Sequence, residues 1–97
     1  MMYARVTTSH DQPGKTDEGV DIYRDIMSLI KEKKGFKGAM LLNNSDTGKS
    51  ISITLWDSEA DMIATETSGW WKDQVKKFTN VMAGQPTKEH YEVSVHV

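Results

Sequence analysis

Ninety-seven residues with no cysteine, two prolines, seven glycines and a formal charge of -2 at pH 7 describe one domain spanning residues 1–97, because chains this short seldom divide into two cores. An apolar fraction of 37% beside 27% charged residues argues against both a disordered chain and a membrane-spanning one. Twelve basic against fourteen acidic residues leave no basic footprint for nucleic acid, and the lack of thiols excludes a disulfide framework, a zinc knuckle and a cysteine nucleophile. Residues 1–8 carry no long apolar stretch of the signal-peptide kind, so the expected address is the cytoplasm.

Residues 2–8 are rich in β-branched and aromatic types and run into the turn formers Ser9-His10-Asp11-Gln12-Pro13-Gly14, which predicts a first strand. Thr16 is placed to cap a helix over residues 17–34, with Asp17 and Glu18 at its positive end. Val20, Tyr23, Met27 and Ile30, flanked by Ile22, Ile26 and Leu29, give that helix one broad apolar face. Lys31, Lys33, Lys34 and Gly35 supply cations and a left-handed C-terminal residue. Residues 38–43 and 49–56 then read as two strands of a hairpin around the turn Asn44-Ser45-Asp46-Thr47-Gly48.

Ser58, with Asp61 three residues on, resembles a capping box. It opens a second helical region that Gly69 divides into residues 59–67 and 70–83. In the second piece Trp71, Val75, Phe78 and Met82 form a stripe, stopped by Gly84 and Pro86. This stripe places Trp71 in the core and leaves Trp70 free to line a pocket mouth beside the Gly69 break. Residues 89–97 alternate strictly, with Tyr91, Val93, Val95 and Val97 opposite His90, Glu92, Ser94 and His96, predicting a fourth strand.

The order β-α-β-β-α-β is that of an α+β, ferredoxin-like split βαβ unit, a four-stranded antiparallel sheet with its helices on one face. The other face needs a cover. In a domain of this size the simplest cover is the same face of a second copy, so the expected assembly is a homodimer made by sheet faces.

The opening Tyr3-Ala4-Arg5-Val6-Thr7, the Pro13-Gly14 turn, the Gly35-Phe36-Lys37-Gly38 link, Leu55-Trp56 followed by Asp57-Ser58-Glu59-Ala60, and the closing Tyr91-Glu92-Val93 together resemble the antibiotic biosynthesis monooxygenase family of dimeric α+β barrels. The resemblance spans nearly the whole chain. It implies a pocket between sheet and helices and, in some members, oxygenation of small aromatic or quinoid substrates with no metal or other cofactor. In that pattern a Trp at the end of the third strand and an Asn four residues earlier face the pocket; here Trp56 matches and Ser52 stands in the Asn position. The haem-degrading pattern uses an Asn on the first strand, which falls at Thr7, and a helical His, whereas residues 59–84 contain no His.

Strand alternation places Ser50, Ser52, Thr54 and Trp56 on one face, and Tyr3, Arg5 and Thr7 on the matching face of the first strand. Small hydroxyl side chains leave room, and room beside a hydrogen-bonding aromatic is what a ligand site requires. The alternative is a core Trp56 beside strand-compatible Ser and Thr. Arg5 within a central strand must be paired, either with a substrate oxygen or with Glu92 on a neighbouring strand. His90, Glu92 and His96 share a strand face, but the span from His90 to His96 is about 20 Å at strand rise, so no metal site is expected.

The candidate substrate contacts are Arg5, Thr7, Ser52, Trp56, Trp70 and Lys76, with Ser52 and Trp56 holding substrate oxygens and Arg5 or Lys76 stabilising an anion. No catalytic base stands out. The reading is a homodimer that binds a small hydrophobic or aromatic molecule and oxygenates it without a cofactor; the alternative is a non-catalytic ligand-binding or stress-responsive dimer.

Overall fold

A computed structural model describes all 97 residues. It contains β1 (Tyr3–His10), α1 (Thr16–Ile30), β2 (Phe36–Asn44), β3 (Lys49–Trp56), α2 (Glu59–Thr67), α3 (Trp70–Lys76) and β4 (Thr87–Glu92). The strands form one sheet in the order β2-β3-β1-β4, every neighbouring pair antiparallel. This is the expected α+β, ferredoxin-like arrangement. No helix is long and apolar enough to cross a membrane.

Local chemistry explains the joints. The hairpin turn is held by Asn44, whose Oδ1 accepts from the backbone N–H groups of Asp46 and Thr47 at 3.0 and 3.3 Å. Ser58 caps α2, its hydroxyl accepting from the Asp61 N–H at 3.1 Å. Gly69 adopts φ 83°, a left-handed conformation that ends α2 and starts α3 in a new direction.

The strands β1, β2 and β4 begin or end up to two residues away from the expected bounds, and four further boundaries differ for physical reasons. Lys15 rather than Thr16 occupies the N-cap of α1; Thr16 is the first helical residue, and its hydroxyl donates to Asp11 Oδ2 at 3.1 Å. The helix ends at Ile30, and its lysines belong to the turns beyond; Gly35, left-handed at φ 81°, then passes so close to Asp61 that any side chain there would collide with it. α3 ends at Lys76, with turns carrying the chain onward. β4 stops at Glu92: its partner β1 begins at Tyr3, and one last bond from the Val93 N–H to the Met2 carbonyl, 2.9 Å, exhausts the pairing. The valine alternation continues to Val97, but no neighbouring strand remains to receive it.

The register sorts side chains by size along the helix-covered face. At one end Phe36, Trp56 and Tyr3 lie side by side across β2, β3 and β1. Trp56 is 0% exposed and forms the core with Ile30 and Met62. Phe36 meets the Trp56 ring edge-on, with centroids 5.5 Å apart. Beyond this row the same face carries Thr54, then Ser52 beside Thr7, then Ser50 beside Ser9.

The opposite face is uncovered. It presents Val6, Ile51, Ile53, Leu55, Met40, Leu42 and Tyr91, of which Met40 is 54% exposed. Only 11 of 97 residues are buried, a small core even for a domain of this length.

Candidate functional site

Where the strand side chains shorten, the helices stand off the sheet. The result is a cavity of about 100 Å³ between β1 and β3 below and α1 and α3 above. Arg5, Thr7, Ser50, Ser52 and Thr54 form its floor, and Gly19, Tyr23, Trp70, Trp71 and Gln74 are among its roof residues. Gly19 contributes no side chain where α1 crosses the small end, and the Val81 side chain lies where a Cβ would point. The hollow therefore follows from the size of the floor residues: Ser and Thr do not fill the span that Trp56, Ile30 and Met62 fill elsewhere.

Several polar groups of the wall are bonded to one another. Tyr23 Oη and Ser52 Oγ lie 2.9 Å apart and share one hydrogen bond in which either hydroxyl can donate. Burial raises the Tyr23 pKa above its usual value, against the opposing effects of the Ser52 bond and the Arg5 charge, so the phenol stays protonated through the neutral range. Asn43 donates to Ser50 at 2.8 Å, and Ser50 donates to Asp11 Oδ2 at 3.0 Å. Both charged residues of the wall, Arg5 and Asp11, are thus engaged by neighbours within the protein.

Arg5 is 2% exposed and pairs with Glu66, not with Glu92. The register explains the change of partner: Arg5 lies opposite His90, and Glu92 lies opposite Tyr3, while the last turn of α2 brings Glu66 over Arg5. Its Nη1 donates to Glu66 Oε2 at 3.0 Å and to Thr65 Oγ1 at 2.8 Å, with the Met62 carbonyl at 3.3 Å. Glu66 also holds Lys88 at 2.7 Å and His90 at 2.9 Å. Burial pulls the Arg5 pKa down and the Glu66 bonds oppose it; arginine starts so high that the group stays charged. Burial pushes the Glu66 carboxyl up, but the bonds from Lys88, Arg5 and His90 outweigh it and leave the pKa below its usual value. The Arg5 guanidinium carbon lies 5.7 Å from the centre of the Trp56 ring and 5.9 Å from that of Trp71, close enough for cation–π attraction.

Four of the six residues singled out from the sequence come together around the cavity: Arg5, Thr7, Ser52 and Trp70. Trp56 does not line it. The residue points to the expected face, but it sits in the bulky row at the α2 end, where its indole N–H donates to Thr54 Oγ1 at 3.0 Å. Lys76 is also outside the wall; its side chain is 69% exposed and lies 3.9 Å from Asp73. Trp71, expected in the core, is instead half-buried on the cavity wall, with the Lys88 ammonium 4.4 Å from its ring centre.

Of the wall residues not among the six candidates, two carry a readable signal. Tyr23 reads as one more member of the α1 apolar stripe, and its hydroxyl is the only signal of another use. Gln74 stands three residues after Trp71 and four before Phe78, the spacing of a shared helix face; a polar residue within that stripe is the mark that could have found it.

No protein-family model matches the sequence, and neither does any curated protein. Solved structures do match. A protein of Bordetella bronchiseptica, provisionally described as an antibiotic biosynthesis monooxygenase, aligns at 16% identity over 97% of this chain and 98% of its own, TM-score 0.83. One of Caulobacter crescentus, with the same provisional description, aligns at 21% identity over 97% of this chain and 91% of its own, TM-score 0.80. SnoaB, a cofactor-independent oxygenase from Streptomyces nogalater, aligns at 9% identity over 99% of this chain and 96% of its own, TM-score 0.80. The chain therefore has the α+β fold of the structures described as antibiotic biosynthesis monooxygenases, as its sequence resemblance implied.

Proposed function

We propose that the cavity binds a small aromatic molecule carrying a hydroxyl or keto group, and that the protein orients this molecule for direct reaction with oxygen, with no metal or flavin. The observation that carries the reading is the chamber itself, in which the Tyr23–Ser52 hydroxyl pair faces the same space as the Trp70 and Trp71 rings. Flat walls favour a flat guest. The hydroxyl pair supplies an O–H donor to the oxygen of that guest, where negative charge collects once it loses a proton.

The electron-rich substrate carries the chemistry. An anthrone-like carbon loses a proton, its carbanion reduces oxygen and forms a carbon peroxide, and loss of water leaves a new carbonyl; one oxygen atom enters the product and the other leaves as water. Arg5 acts as a framework residue in this reading, since Glu66 neutralises it. Support for the oxygenase assignment comes from the family resemblance and from the fold shared with SnoaB.

One observation favours a second reading, a ligand-binding protein without catalysis. The sole carboxylate of the wall, Asp11, accepts from Ser50 and Thr16, and no His or Lys lines the cavity. Oxygen uptake under air with anthrone-like and quinol substrates separates the two. Protein-dependent consumption that persists in the presence of a chelator supports the oxygenase; binding without consumption establishes the second reading.

The proposed assembly is a cytoplasmic homodimer joined through the open sheet faces, supported by the apolar residues those faces expose. Light scattering should report twice the chain mass, and a lone protomer at micromolar concentration would refute it.

A further inference from the structure

Asp11 is fixed through its backbone and through one carboxylate oxygen. Its N–H donates to the Gly48 carbonyl at 2.7 Å. Bonds from Gln12 to Val81 and from Ala83 to His10, at 2.6 and 2.7 Å, hold it opposite Met82. Thr16 at the start of α1 and Ser50 on β3 both donate to Oδ2, at 3.1 and 3.0 Å. Asn43 donates to Ser50 at 2.8 Å, which leaves the Ser50 hydroxyl hydrogen for Asp11.

The other oxygen, Oδ1, accepts from no protein donor and is open to solvent. It lies 3.9 Å from the point where a Cβ on Gly19 would stand. Gly19 is buried in the roof, so this oxygen lies beneath α1 at the small end of the chamber. A carboxylate oriented through one oxygen, with the other left bare, is arranged to take a proton from a guest.

The rest of the wall offers no rival. Its other titratable groups are Arg5, which Glu66 neutralises, and Tyr23, whose phenol stays protonated through the neutral range. Ser50 stands two residues along β3 from Ser52, about 7 Å at strand rise, so Asp11 and the Tyr23–Ser52 pair address different points of one guest.

Resting on the oxygenase reading of the cavity, we infer that Asp11 is the catalytic base of that reaction. Oδ1 takes one proton from the methylene carbon of an anthrone-like substrate, and the electron pair left behind spreads to the carbonyl oxygen, held by the Tyr23–Ser52 pair. An aspartate of ordinary basicity suffices where donors hold the developing oxyanion. The anion passes two electrons to oxygen, one at a time, and a carbon–oxygen bond forms; the peroxide takes the proton back from Asp11. Asp11 then removes the second hydrogen of that carbon as a proton. Its electron pair forms the new carbonyl as the oxygen–oxygen bond breaks, and the departing hydroxide takes the proton and leaves as water.

Hydrogen–deuterium exchange at the methylene of anthrone, followed by mass spectrometry in heavy water under argon, isolates the first step. The wild-type chain should accelerate it, and Asp11→Asn should lose about a hundredfold or more of the acceleration. Affinity for anthrone, read from tryptophan fluorescence, should stay within about threefold, the split expected of a group that acts on the reacting atoms.

Exchange that survives in Asp11→Asn, or a loss of binding that accounts for its loss of exchange, overturns the assignment of Asp11 and leaves the oxygenase reading intact. So does a wild-type protein that consumes oxygen with anthrone yet exchanges nothing under argon. Wild-type binding with neither exchange nor oxygen uptake overturns the oxygenase reading, and failure to bind anthrone overturns the cavity reading itself. If Asp11→Asn does not fold, Ser50→Ala carries the test: freeing one of the two bonds on Oδ2 should slow exchange about tenfold at unchanged affinity, and an unchanged rate overturns the assignment.

Discussion

The two ends of the helix-covered sheet face use the same strands and reach opposite results. At the α2 end, Trp56, Ile30 and Met62 fill the space between helix and sheet and form the core. At the α1–α3 end, Thr7, Ser50, Ser52 and Thr54 support the same kind of helical roof and leave it standing over a hollow. The β1–β3 register continues unbroken from one end to the other; the difference lies in side-chain volume. An aromatic row fixes the height of the helices, and a floor of small residues beyond it converts that height into a chamber. On the proposed reading, stability and binding fall at different ends of one face.

That division is open to mutation. Trp56→Ala should cause the largest loss, about 3–5 kcal/mol of unfolding free energy, as expected for emptying a fully packed aromatic site. Trp71→Ala at the hollow end should cost about 1–2 kcal/mol, in line with a half-buried ring, and should weaken the binding of an aromatic probe. Denaturant unfolding of both variants checks the contrast, and equal losses would erase it.

Glu66→Gln should fall between these two, at about 2–4 kcal/mol, because it strips the counterion from buried Arg5 while Lys88 and His90 remain partly wet. Its pH signature has a definite sign. The folded-state pKa of Glu66 lies below its usual value, so the stability it contributes is complete above the unfolded carboxylate range and fades as pH falls through the lower folded value. Unfolding free energy on the acid limb should therefore be flatter with pH in Glu66→Gln than in the wild-type protein. An unchanged slope would show that the cluster is not ionised as drawn.

Ser52→Ala should cost only about 1 kcal/mol of stability through its lost bond to Tyr23, yet reduce the affinity for a hydroxylated aromatic several-fold. Lys76→Ala should be the smallest effect, within about 0.5 kcal/mol and without influence on binding, since the residue stands outside the wall. Titration calorimetry and thermal unfolding of these two variants mark where the chamber stops.

Much of this arrangement can be read in the residues, and the failures are instructive. Period-two alternation gave the right face for Arg5, Thr7, Ser52 and Trp56, because strand geometry leaves a side chain only two directions. It did not give position along the strand, and that alone decides whether a residue meets the aromatic row or the hollow; for Trp56 it left both open, and the structure places it in the core row. Ser58 and Gly69 announced the limits of α2 through capping and left-handed backbone, both local effects. Pairing of Arg5 with Glu66 joins residues far apart in sequence and depends on where α2 lands, which no local pattern encodes. The valines after Glu92 keep strand periodicity, but a strand also needs a neighbour, and β1 has none to offer beyond its own start.

The most direct test follows the indole N–H resonances of Trp56, Trp70 and Trp71 by NMR during titration with 2-naphthol. The account predicts that the Trp70 and Trp71 signals shift with saturation while Trp56, sealed in the core, stays in place. Three signals that ignore the ligand, or a response confined to residues of the open sheet face such as Met40 and Tyr91, would contradict it.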